Sequence, residues 1–121
     1  MSKIANEIYS ILEDIFPKHL GNRIQKEIYI PYKNAKLFFD FYIREIGVYI
    51  EVQGRQHTEF VKHFHGDREA FMAQKYRDNL KIQYVQENGK CLVRFHYDEK
   101  ITKALVKKKI NKVLTGECFY E

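Results

Sequence analysis

Apolar residues recur at helical spacing near the start of the chain: Ile4, Ile8, Leu12 and Ile15, with Ile11 beside them. That period predicts an amphipathic helix over residues 2–16, capped by Ser2 and stopped by Pro17. The period then shortens. Residues 25–30 (QKEIYI), 36–43 (KLFFDFYI) and 47–53 (GVYIEVQ) read as strands. The third alternates, with Val48, Ile50 and Val52 on one face and Tyr49, Glu51 and Gln53 on the other. Pro31 and Asn34 break the first two runs apart, and 44–47 reads as a hairpin turn. Gly54 ends the third strand, and a polar, histidine-rich loop covers 55–65. A long helix follows over 67–87, with Phe71, Leu80, Tyr84 and Val85 facing inward and Asn88-Gly89 closing it. Residues 90–97 (KCLVRFHY) form a fourth strand, and Asp98 caps a last helix running to about Leu114.

The order helix, three strands, helix, strand, helix predicts an α/β domain. Its mixed four-stranded sheet has strands 1-2-3 antiparallel and strand 4 parallel to strand 3, because a strand–helix–strand unit crosses over right-handed. The 121 residues fit a single domain over 1–121, with no repeat, linker or low-complexity tract. No hydrophobic leader and no long apolar run is present, so no membrane partner is expected. Cys91 and Cys118 form no CxxC pair and no zinc spacing, which favours an intracellular, reducing setting such as a cytoplasm or a host-cell cytoplasm.

Two acids interrupt this apolar pattern. Asp40 lies inside LFFDFYI, where a bare charge is expensive to bury, and Glu51 lies between Ile50 and Val52. If Arg44 pairs with Gly47, Asp40 falls opposite Glu51 and both point to one face, with Cβ atoms about 4.5–5.5 Å apart. Two carboxylates at about 5 Å repel by roughly 3 kcal/mol at an effective dielectric near 20. A divalent cation reverses that sign, since hard cations take carboxylate oxygens. A one-residue slip would instead send the acids to opposite faces. Gln53 shares the face of Glu51 and is placed to orient a water. His57 follows just beyond the strand end, where an imidazole can take a proton or stabilise a leaving group.

The net charge of +5 and a pI near 9.1 favour a polyanionic partner, DNA among them. Two basic segments are candidates for that contact. The loop carries Arg55, Lys62 and His63, and the last helix carries Lys100, Lys103, Lys107, Lys108, Lys109 and Lys112 opposite an apolar side of Ile101, Leu105, Ile110 and Val113. Lysines there would neutralise phosphates without reading sequence. A solvated helix face is the plain alternative.

The segments FFDFYI, YIEVQGRQH and GDREAFMAQKYRDNLKIQYVQENGKCLVRFHYDE together resemble the PD-(D/E)XK nuclease superfamily. The similarity is to the branch of very-short-patch-repair endonucleases and phage-type EDxHD homing endonucleases, and it spans about residues 4–114. The resemblance implies a restriction-endonuclease-like core and a Mg²⁺-dependent DNA endonuclease, with Mn²⁺ as a substitute. It implies a metal held by Asp40, Glu51 and the backbone carbonyl of Val52. Glu7 would be the first-helix acid, His57 the branch's histidine, and Asp78 a later acid on the long helix. Asp78 also has a local reading, as a helix partner of Lys81. Two positions depart from the pattern: Gln53 stands where the superfamily usually has Lys, and Phe39 where it often has Pro. The Gln53 departure keeps two alternatives open, a non-catalytic DNA-binding module on the same fold and a structure-specific nuclease for junctions or mismatches. One small domain carries one site, so a double-strand cut needs a homodimer or two successive nicks.

Overall fold

The computed structural model describes residues 1–54 and 68–121. Helix α1 (Lys3–Ile15) starts where expected, because the Ser2 side chain accepts the Ala5 N–H at 3.1 Å. A 3₁₀ turn at Lys18–Leu20 leads to strands β1 (Ile24–Tyr32), β2 (Ala35–Ile43) and β3 (Val48–Gln53). Helix α2 (Arg68–Glu87), strand β4 (Cys91–His96), helix α3 (Lys103–Leu114) and strand β5 (Phe119–Tyr120) complete the described residues.

The sheet has five strands in the order β1-β2-β3-β4-β5, with β1-β2-β3 antiparallel and β3, β4 and β5 parallel. The expected α/β class and mixed sheet stand; the strand count of four does not. The extra strand is a two-residue pairing, Leu92 with Phe119 and Val93 with Tyr120, too short to leave a periodic signal. β1 is also longer than its pattern and runs through Pro31, which the ladder tolerates because β1 is an edge strand. The last helix begins at Thr102, not Asp98: the Thr102 hydroxyl accepts the Leu105 N–H at 3.1 Å.

The core lies on both faces of the sheet. On one face α1 and α3 cover Phe41, Ile43, Val48, Ile50, Val93 and Phe95 with Ile8, Leu12, Val106 and Ile110. On the other, α2 brings Leu80 and Val85 against Leu37, Phe39, Tyr49 and Leu92. Full burial of such side chains stabilises by roughly 1.5–3 kcal/mol each.

The β1–β2 hairpin changes face partway along. Phe41 and Ile43 face the α1/α3 side, whereas Leu37 and Phe39 belong to the α2 side. β1 does the same: Ile24 packs on the α1/α3 side and Ile28 and Ile30 on the α2 side. Register is unchanged across the switch, with Lys26 opposite Phe41 and Ile28 opposite Phe39. The residues between are Glu27, at φ 53°, and Asp40. The switch therefore sits at the level of the acid that interrupts the apolar run.

Candidate functional site

The β2–β3 ladder begins at Ile43–Val48 and continues through Tyr42–Tyr49 to Phe41–Ile50. The register is the expected one, and its next step sets Asp40 beside Glu51. There the backbones stop pairing and a side chain takes over: the Asp40 Oδ2 accepts the Val52 N–H at 2.8 Å. Asp40 and Glu51 both line one cavity of about 280 Å³. The strands supply Lys36, Phe38, Asp40, Glu51, Val52 and Gly54 to its wall, and α2 supplies Gln74, Arg77, Asp78 and Lys81.

Burial pushes the Asp40 carboxyl above the usual carboxylate range; the Val52 N–H draws it back, and the charge of Glu51 raises it further. Such a group is poorly solvated as an anion and gains from a nearby positive charge. Glu51 has its own cations. Its Oε1 accepts from Lys81 Nζ at 2.9 Å and its Oε2 from Arg94 Nε at 3.1 Å, with all three side chains buried. Arg94 also donates through Nη2 to the Asp78 carbonyl at 2.5 Å, and its guanidinium lies 4.9 Å from the Phe119 ring centroid. β4, α2 and the short β5 are thereby tied to one carboxylate.

The donor chemistry fits a hard divalent cation. Asp40 and Glu51 offer carboxylate oxygens on one cavity wall, Val52 lines the same wall, and among the described residues Asp40 feels the Lys81 charge without forming an ion pair of its own. Lys81 holds one of the Glu51 oxygens such an ion would use. Among the described residues no group of three His, Cys, Asp or Glu side chains is assembled around a point; Asp40 and Glu51 are the acids that these residues bring to the wall beside Val52.

The other expected residues divide. Asp78 is buried and lines the cavity, and the Lys81 ammonium beside it donates to Glu51. Gln53 is buried and pairs in register with His96, but is not part of the cavity wall. Glu7 is exposed on α1, whose buried residues Ala5, Ile8 and Leu12 pack on the α1/α3 face; the structure does not bring it into the cavity wall. Lys107 and Lys108 are exposed on α3, again on that face, away from the cavity lining. Lys109 is buried, not phosphate-facing: its Nζ donates to the Arg94 carbonyl and to Glu99 Oε1, each at 2.7 Å. Lys103 pairs with Asp14 at 2.6 Å. Arg55, His57, Lys62 and His63 lie outside the described residues.

Sequence reasoning missed Lys81, Lys36 and Arg77. Lys81 left one usable signal: it follows Leu80, the inward position of α2, and stands one turn after Asp78. Lys36 and Arg77 gave none, since a lysine at a strand start and an arginine on a charged helix are ordinary surface residues.

No family model matches the chain. It is 37% identical over 67 residues to the uncharacterized protein 307L of Invertebrate iridescent virus 6, covering 55% of this chain and 34% of that protein. It is 38% identical over 72 residues to the uncharacterized protein 033L of Invertebrate iridescent virus 3, covering 60% of this chain and 37% of that protein. The matched region thus spans about a third of the length of these curated relatives. Among the described residues no helix is long and apolar enough to cross a membrane.

Proposed function

We propose that this chain is a metal-dependent DNA endonuclease with a restriction-endonuclease-like core. One observation carries the reading: Asp40 and Glu51 converge on one cavity wall, and Lys81 enters the same cavity from α2 to contact Glu51. A protein that only needed to fold would gain little from this arrangement, because buried ion pairs are often replaceable by apolar residues without loss.

Asp40, Glu51 and the Val52 carbonyl would hold Mg²⁺ or Mn²⁺, which when bound polarises a phosphate oxygen and acidifies a coordinated water. Lys81 supplies the ammonium that Gln53 cannot. From its place on Glu51 it donates hydrogen bonds to the attacking water and to the charge that develops on the phosphoryl oxygens. Arg94 fixes Glu51 from behind. Lys36 and Arg77, at the cavity wall, hold the phosphates on either side of the scissile bond. His57 is the proposed proton acceptor, and Arg55, Lys62 and His63 extend the contact along DNA. A dimer is required only if both strands are cut in one event.

Supercoiled plasmid with Mg²⁺ tests the reading, against Asp40→Asn and Lys81→Met. Nicked or linear product from the wild type and a loss on the order of 100-fold or more in each variant support it. Equal activity in all three proteins, or no product from the wild type, defeats it.

One observation favours the second reading, a non-catalytic DNA-binding module. Both Glu51 oxygens are already satisfied by cations, as in a structural ion pair. That module would bind duplex DNA with an affinity indifferent to Mg²⁺ and would leave the plasmid intact.

A further inference from the structure

We infer that the cavity continues into a stacking subsite for an unpaired nucleobase, formed by Phe38 and Tyr29. The inference rests on the reading of the cavity as a nucleic-acid site and adds its substrate class: strands with at least one unstacked base beside the bound phosphate.

Phe38 lines the cavity next to Asp40. Its cross-strand partner is Tyr29, and the two rings lie 5.0 Å apart at 52°. Tyr29 is 69% exposed, on the outer half of the hairpin beyond the change of face. Two rings therefore run from the cavity wall to solvent, and the outer one is largely uncovered. A cross-strand aromatic pair stabilises a sheet by itself, but that accounts for the contact, not for its continuity with the cavity wall. The charges beside it point to the ligand. Lys36 and Arg77 line the same cavity, and neither has an ion-pair partner among the described residues. An aromatic surface flanked by cations suits a planar base joined to a phosphate: the base stacks on the ring and the cations take the backbone. A peptide or lipid surface would need a broader apolar area. A fully paired duplex keeps its base faces covered and gains only the phosphate contacts.

The test is equilibrium binding in EDTA, where no strand is cut, using a fluorescein-labelled oligothymidylate and a blunt duplex of equal length. Wild type, Tyr29→Ala and Tyr29→Phe are compared, each checked for an unchanged thermal melt. Tyr29→Ala should weaken single-strand binding about fivefold or more, as loss of one stacking partner does. Duplex binding should be unchanged, and Tyr29→Phe should bind like the wild type. Equal weakening on both oligonucleotides, no weakening on either, or no measurable single-strand binding by the wild type overturns the inference. A Tyr29-dependent single-strand preference upholds it even if plasmid remains uncut, a result that would defeat the cleavage reading alone. Plasmid cleavage without that preference would do the reverse.

Discussion

Glu51 and Arg94 face each other as register partners across the parallel β3–β4 ladder, and their side chains meet at 3.1 Å on the α2 side of the sheet. A strand pairing and an ion pair thus specify the same alignment. A shift of β4 by one residue would move the guanidinium to the other face and leave the carboxylate facing Lys81 alone.

Replacing Arg94 should therefore cost more than a surface charge does. Arg94→Met removes a buried cation from Glu51 and a donor from the Asp78 carbonyl. Lys81 still pairs with Glu51, so the carboxylate keeps one cation, and the loss is that of a charge-assisted hydrogen bond, typically about 1.5–3 kcal/mol. Urea unfolding of Arg94→Met should show a loss of that order, with Arg94→Lys between it and the wild type. A midpoint equal to the wild type's would contradict the role assigned to this pair.

Asp40→Asn should separate catalysis from folding. The amide oxygen of Asn can still accept the Val52 N–H, so the junction of β2 and β3 survives. The charge that a metal needs is gone. Thermal unfolding should change by no more than about 1 kcal/mol, while metal-dependent cleavage is lost. Isothermal titration with Mn²⁺ should show binding to the wild type and none to the variant. A variant that binds Mn²⁺ like the wild type would exclude Asp40 as a ligand.

A pH-dependent contribution to stability resides at Glu99. Burial pushes its carboxyl up, but the Lys109 ammonium and the His96 N–H outweigh that and hold it below its ordinary value of 4.5. A depressed acid binds its proton more weakly in the folded state. Its stabilisation is therefore complete above the ordinary value and is lost as pH falls through the lower folded value. Glu99→Gln should be less stable than the wild type near neutrality, by roughly 1.5–3 kcal/mol for a charge-assisted contact. The difference should shrink as the pH drops below 4.5. Urea midpoints measured across acid pH check this; a gap that stays constant would rule it out.

Thr102→Ala should cost about 1 kcal/mol by removing the cap of α3, whereas Asp98→Ala should cost little of helix stability. Helix content and melting temperature of the two variants distinguish the capping residue that the structure shows from the one that the sequence suggested.

The hairpin register was legible because β3 alternates strictly and its turn is short, so Asp40 and Glu51 could be set beside one another before any coordinates. Lys81 was not legible. It lies on a helix whose buried positions mix Asp78 and Lys81 with Leu80 and Val85, so its burial leaves no clean apolar stripe. Lys109 was hidden the same way: in a run of three lysines nothing marks the middle of α3 as the position that turns inward to reach a backbone carbonyl. β5 was invisible because two residues cannot show a period. The change of face in the hairpin was hidden because its positive φ is carried by Glu27, and a glutamate does not advertise a left-handed backbone as glycine or asparagine does. Glu7 was expected as the first-helix acid from the resemblance alone; helical spacing fixes azimuth along a helix but does not say against which face of the sheet the helix will pack.

That switch at Glu27 and Asp40 makes the hairpin a jointed arm. Paired additions or deletions beyond the joint would lengthen or shorten the forearm and leave the acids where they are. A single residue gained by one strand alone, on the near side of the joint, would turn a wall of the cavity inside out. Diversification of this hairpin should therefore proceed two residues at a time.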